Sequence, residues 1–210
     1  MPIYFQAVKE VSAAKSGVLT IPLVAGMAIS IVFSGAATSI VGYYTPFMFF
    51  TSILTPVAAG LLTTIEVNEK LVSLSCYQAL LGFSAGIGFQ APQVAAQTIL
   101  SHQDAPMGIA VVQFMQGLGP AIFVSAAQTL FTTRLTADLG KFAPSLNSTA
   151  LETMGLSDLK QHIGAENLQG VLLGYDNAIT QTFYLPVALT CLSLLGTVGM
   201  ESRSIKKKKQ

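Results

Sequence analysis

Val18-Leu19-Thr20-Ile21-Pro22-Leu23-Val24-Ala25-Gly26-Met27-Ala28-Ile29-Ser30-Ile31-Val32-Phe33 opens a stretch, residues 16–65, that contains no Asp, Glu, Lys or Arg. An α-helix rises about 1.5 Å per residue, so roughly 20 apolar residues cross the hydrocarbon core of a bilayer. Residues 16–65 therefore suffice for two crossings, with Val41-Gly42 as the turn between them. Further charge-free runs lie between Lys70 and Asp104, between Asp104 and Arg134, and between Asp176 and Glu201. Each is long enough for one more crossing.

Composition agrees. Only 10% of the 210 residues are charged, 51% are hydrophobic, and the mean hydropathy is +0.60. Soluble domains carry about 25% charged residues, and so many uncharged runs leave nothing to form a wetted surface. The fold class expected is an all-α membrane protein with about five transmembrane helices. Their expected bounds are about residues 18–38, 44–64, 72–92 (with a tilted extension to 100), 107–131 and 179–200. Residues 1–17 form an outer N-terminal segment, and residues 18–131 a four-helix membrane region. Residues 132–178 form an extracellular loop, and residues 201–210 a basic cytoplasmic tail.

The loop holds eight of the 21 charged residues, more than any other segment. Within it, Ser157 before Asp158 reads as a helix start. Leu168, Leu172, Tyr175 and Ile179 recur at helical spacing, which predicts an amphipathic lead-in running without a break into the last span. Positive flanks stay in the cytoplasm, so Arg203 and Lys206–Lys209 place the tail inside. Five crossings then put the loop and the N-terminus outside. Asn147-Ser148-Thr149 is a glycosylation sequon and fits a lumenal or extracellular loop. An odd number of spans with an outside N-terminus suggests the back end of something longer. No signal peptide is visible in residues 1–17.

With no charge in any expected span, the polar signal lies in amides and hydroxyls. Gln78, Gln90, Gln93 and Gln97 lie on the third helix, and Gln113, Gln116 and Gln128 on the fourth. An amide facing lipid lacks partners, so these should face other helices or a watery cavity. Gln90, Gln93 and Gln97 share one face, and Gln113 and Gln116 another. Two readings stand: a cavity wall for an amphiphilic substrate, or interhelical hydrogen bonds worth about 0.6–2 kcal/mol each. Gly82, Gly86 and Gly88 favour close helix approach, and Gly117, Gly119 and Pro120 join them as packing candidates. Pro22, Pro56, Pro120 and Pro186 permit kinks.

Enzyme chemistry, cofactors and metals are not expected. His102 and His162 lie in loops on opposite expected sides, and no metal-ligand cluster, nucleophile elbow or phosphate loop occurs. His102-Gln103-Asp104 reads as a solvated turn. Cys76 and Cys191, both in apolar runs, make no disulfide framework. The lysine tail suits anionic lipid rather than nucleic acid. Its last residues also fit a dilysine retrieval pattern, so the plasma membrane is expected, with an internal membrane as the alternative.

Pro2-Ile3-Tyr4-Phe5-Gln6-Ala7-Val8-Lys9, Ser16-Gly17, Ile21-Pro22-Leu23, Gly42-Tyr43-Tyr44-Thr45-Pro46-Phe47-Met48, residues 82–97 and residues 175–184 together resemble the fungal fourteen-span drug:proton antiporters of the major facilitator superfamily. The resemblance covers essentially the whole chain and falls in the C-terminal part of that family. It implies a partial major-facilitator-type bundle from an exporter of a small amphiphilic organic molecule. The missing partner would be the N-terminal half. Thr38-Ser39-Ile40-Val41 stands where the family usually has a basic residue before Gly-Tyr-Tyr, Pro120 where glycine is more usual, and Ser202 where many relatives have tryptophan. Five helices of one half cannot enclose a midplane site. No Asp, Glu or His lies within the expected spans, Asp176 being the nearest titratable group. The chain alone is thus not expected to export by proton exchange. The competing reading is a non-transporting membrane protein that associates with full-length transporters.

Overall fold

The computed structural model describes residues 1–9, 11–65, 70–142, 165–200, 202, 204 and 205. Asn147, Ser157, Asp158, His162 and the lysine tail lie outside the described residues. Among the described residues there are seven α-helices: α1 Pro2–Ala7, α2 Ala13–Val41, α3 Thr45–Leu62, α4 Leu71–Ile99, α5 Ala105–Phe142, α6 Ala165–Thr182 and α7 Tyr184–Val198. Five stretches of these residues are long and apolar enough to cross a membrane, the last formed by α6 and α7 together. The chain is an integral membrane protein.

The expected helix centres hold, and the ends differ for physical reasons. Ser12 caps α2 by accepting from the backbone N–H of Lys15 at 3.3 Å, starting that helix five residues before the expected bound. α2 stops at Gly42, whose φ of 78° is open to glycine at little cost. α5 continues to Phe142 through Arg134, Asp138 and Lys141, so residues 132–142 belong to a helix rather than to the loop. Charge ends the apolar run without ending the helix, since polar residues are good helix formers in water. At about 57 Å, α5 is nearly twice the thickness of the hydrocarbon core.

The lead-in to the last span is broken rather than continuous: α6 ends at Thr182 and α7 begins at Tyr184. Pro186 has no N–H to offer the Thr182 carbonyl, and its ring crowds that carbonyl. The Phe183 N–H is instead shared between the carbonyls of Ile179 and Thr180 at 3.2 and 3.1 Å.

α4 is central. It packs most extensively on α2, then on α3, and more lightly on α5. α7 packs on α3, and α6 on α5 and α1. The α2–α4 seam is close because both sides lack side chains. A Cβ on Gly82 would sit 2.9 Å from the Leu23 carbonyl carbon, and one on Gly26 2.6 Å from the Ala79 oxygen. A Cβ on Gly86 would meet the Met27 carbonyl oxygen at 2.5 Å; Gly88 faces α3 instead, where its Cβ would meet the Thr51 methyl at 2.5 Å.

At one end, the tail end, residues after α7 return to the α2–α3 turn. The Ile205 N–H donates to the Gly42 carbonyl at 2.8 Å, Ser204 bridges Tyr43, and the Thr45 hydroxyl donates to Ser202 Oγ at 3.2 Å. At the other end, the head end, a buried apolar cluster gathers Tyr4, Phe5 and Val8 with Leu62, Ile65 and Leu74. Leu139, Val171, Tyr175 and Ile179 complete it. Between the two ends, Ser52 and Thr197 pair their hydroxyls at 2.6 Å and tie α3 to α7.

Candidate functional site

The polar face of α4 lies in the cleft between α2 and α5. A Cβ on Gly35 of α2 would stand 3.1 Å from Gln90 Oε1, which places Gln90 beside α2. On the other flank, Gln93 Nε2 donates to Gln116 Oε1 at 3.2 Å, and Gln116 Nε2 donates to the Phe89 carbonyl at 2.9 Å. The Phe89 carbonyl is where Gln93, one turn on, directs its helical N–H, so Gln116 reads a backbone group as well as a side chain. Gln97 follows on the exposed side of α4, and Gln113 is exposed on α5. Gln93 and Gln116 are thus joined directly, and Gln90 is near them across the helix face.

Gln78 lies elsewhere. It is fully enclosed, and neither amide atom has a hydrogen-bond partner among the described residues. It contributes to the interior of the bundle rather than to the cleft. Gly82, Gly86 and Gly88 meet neighbouring helices as described above. A Cβ on Gly117 or Gly119 would meet no atom within 4 Å, and Pro120 is exposed beside them. No helix of the described residues approaches that stretch of α5.

A second polar feature was not singled out as a unit from the sequence. Ser125, Gln128, Thr129, Thr132 and Thr133, with Ala121 and Val124, line an open groove of about 650 Å³ along α5. Ser125 is nine residues beyond Gln116, about two and a half turns, so the groove points away from α4. Thr129, Thr132 and Thr133 donate to the carbonyl four residues back at 2.9–3.1 Å, which makes their hydroxyls tolerable in an apolar medium. The exposed amide of Gln128 has no such local outlet. The recurrence of polar residues at 125, 128/129 and 132/133 in a charge-free run was the available sequence signal.

At the head end, Asp138 is buried at 4% exposure. Its Oδ2 accepts from Asn177 Nδ2 at 2.8 Å, and Asn177 Oδ1 accepts from Gln181 Nε2 at 3.2 Å. Lys141 stands 3.7 Å from Asp138 Oδ1. Periodicity marked neither Asp138 nor Asn177, because the pairing needs α6 to return beside α5. Among the described residues no group of His, Cys, Asp and Glu is arranged to hold a metal ion.

Comparison with curated proteins decides the family. Over 99% of its length the chain is 39% identical to the efflux pump roqT of Penicillium rubens, and it covers 38% of that protein. Over its full length it is 38% identical to the MFS-type efflux pump MFS1 of Trichophyton rubrum, covering 39% of it. It is 39% identical to the thioclapurine efflux transporter tcpA of Claviceps purpurea, again covering 39%. The chain belongs to the major facilitator superfamily. It spans under half the length of these relatives. No family model and no solved structure matches it. Its five spans form a partial facilitator bundle, and its relatives are transporters rather than enzymes.

Proposed function

We propose that this chain is the C-terminal half of a fungal exporter that moves a small amphiphilic organic molecule out of the cytoplasm in exchange for protons. The observation that carries the reading is the exposed amide-and-hydroxyl groove on α5, from Ser125 to Thr133, on a helix otherwise built for lipid. An exposed glutamine amide is costly against hydrocarbon and useful against a watery cavity. The Gln93–Gln116 pair lies on the opposite face of α5, against α4, and with Gln90 and the enclosed Gln78 serves the joining of helices rather than that wall. The other wall comes from helices of the N-terminal half, so the 210-residue chain does not transport alone. Coupling of substrate to protons belongs to the assembled pump.

The lysine tail faces the cytoplasm against anionic lipid, the plasma membrane is the site of action, and Asn147 on the opposite face is a glycan acceptor. The test is binding of a fluorescent neutral amphiphile to the chain in lipid nanodiscs. Gln128→Leu with Thr129→Val is expected to weaken binding at least about tenfold, the loss of one or two hydrogen bonds. Unchanged binding would overturn the wall assignment. Gradient-dependent efflux from a drug-sensitive host expressing only this chain would overturn the half-transporter reading.

A further inference from the structure

We propose that the α5 groove selects uncharged molecules that donate hydrogen bonds, such as phenols and N–H lactams, over ethers, esters and ketones of similar shape. The inference rests on the cavity-wall reading above and adds the chemistry that the wall recognises.

The hydroxyl protons decide it. A threonine hydroxyl carries one donor and two acceptor lone pairs. Thr129, Thr132 and Thr133 each direct that donor into their own helix, to the carbonyls of Ser125, Gln128 and Thr129 at 3.1, 3.0 and 2.9 Å. All three residues line the groove, so what their hydroxyls offer a ligand is lone pairs. An acceptor group on a ligand would have to draw a threonine proton off its carbonyl, which exchanges one hydrogen bond for another and gains little. A donor group adds a bond and breaks none. Ser125 and Gln128 are the other polar side chains of the groove. Each offers an acceptor oxygen beside its donors. Acceptors therefore stand at every polar position of the groove, whereas donors not already used by the helix stand, among the described residues, at Ser125 and Gln128 alone.

Spacing and charge narrow the class further. The polar side chains recur about once per turn, at 125, 128/129 and 132/133, so their oxygens form a ladder with rungs about 5 Å apart. Ala121 and Val124 give the groove an apolar end. Residues 105–133 contain no Asp, Glu, Lys or Arg, so this wall supplies no countercharge. An ionised ligand would lose hydration here without gaining a partner, and a carboxylate would also face the lone pairs. At about 650 Å³ the groove has the size of sites that take drug-sized ligands. It suits an elongated neutral molecule with two or more donors along one edge and an apolar end.

The test is binding of three fluorescent stilbenes to the full chain in nanodiscs: resveratrol with three phenolic donors, pterostilbene with one, and resveratrol trimethyl ether with none. Scaffold and oxygen count are the same throughout, and each affinity is referred to uptake by empty nanodiscs. Affinity is expected to fall in that order, by at least about tenfold from first to last, the worth of one or two hydrogen bonds. This comparison on the unaltered chain depends on no variant folding. Thr132→Val with Thr133→Val keeps side-chain shape and removes two oxygens, and is expected to narrow the ratio to within about threefold. Gln93→Leu, away from the groove, is expected to leave the ratio as it was. A ratio that the two valines do not narrow overturns the ladder. Equal affinities for the first and last ligands, both lowered by Gln128→Leu with Thr129→Val, overturn the donor rule and leave the wall standing. Affinities that this last pair does not lower overturn the wall and the donor rule together.

Discussion

Gly82→Ala is the sharpest perturbation of the α2–α4 seam. In a free helix the change is favourable by about 1 kcal/mol. At residue 82 the new Cβ would stand 2.9 Å from the Leu23 carbonyl carbon and 3.1 Å from its Cα, with the carbonyl oxygen nearer still. All three are backbone atoms, so no rotamer change relieves the crowding. Carbon atoms prefer about 3.5–4.0 Å, so the helices must part by roughly 0.5–1 Å, and a gap of that size forfeits a quarter to a half of each dispersion contact it opens. Overpacking of this kind costs about 1–3 kcal/mol, and the upper end is expected because α2–α4 is the most extensive helix pairing in the chain. Gly60→Ala is the control: no atom lies within 4 Å of its Cβ, so it should be neutral or gain up to about 1 kcal/mol. The assay is unfolding in mixed micelles of dodecyl maltoside and SDS, read by near-ultraviolet circular dichroism, which reports tertiary packing of the tyrosines and phenylalanines. A Gly82→Ala chain as stable as the parent, or a Gly60→Ala chain equally weakened, would refute the packing argument.

Three further outcomes follow from individual contacts. Gln93→Leu and Gln116→Leu should be coupled by about 0.5–1.7 kcal/mol in a double-mutant cycle on the same unfolding assay, whereas simple additivity would show that the amide pair makes no direct contribution. Asn177→Leu should destabilise by about 1.5–3 kcal/mol by taking the donor from a buried carboxylate, and Asp138→Leu combined with it should recover part of the loss; no recovery would refute the pairing. Gly42→Ala should cost about 1–2 kcal/mol because its φ is 78°, and hydrogen exchange at Ile205 should rise with it; protection unchanged at Ile205 would break the link between turn and tail.

Much of the architecture was legible in the chain. Charge-free runs of membrane-crossing length marked the five spans, because a bilayer penalises any charge it cannot hide. Helix ends were less legible. The apolar run of α5 closes at Arg134, but a helix needs only its own backbone bonds and continued to Phe142. The break at Phe183 was masked by an apolar periodicity that runs on through it, while Pro186, three residues later, carried the cause. Gln90, Gln93 and Gln97 share one face of α4 by their spacing. That this face looks into the cleft between α2 and α5 depends on which helices stand beside α4.

By itself the sequence determined the solvent, the number of crossings and the family, because each rests on properties summed along the chain: hydropathy, length and identity. Only the tertiary structure decided which polar groups have partners. Gln78, Gln93 and Gln116 are the same residue type in the same kind of run, yet the first is enclosed without a hydrogen bond and the other two bond each other across helices. The glycines divide in the same way, Gly82 against the Leu23 backbone and Gly117 against nothing within 4 Å. A residue's type sets what it can do at short range, and only the positions of neighbouring helices, a few ångströms away, set what it does.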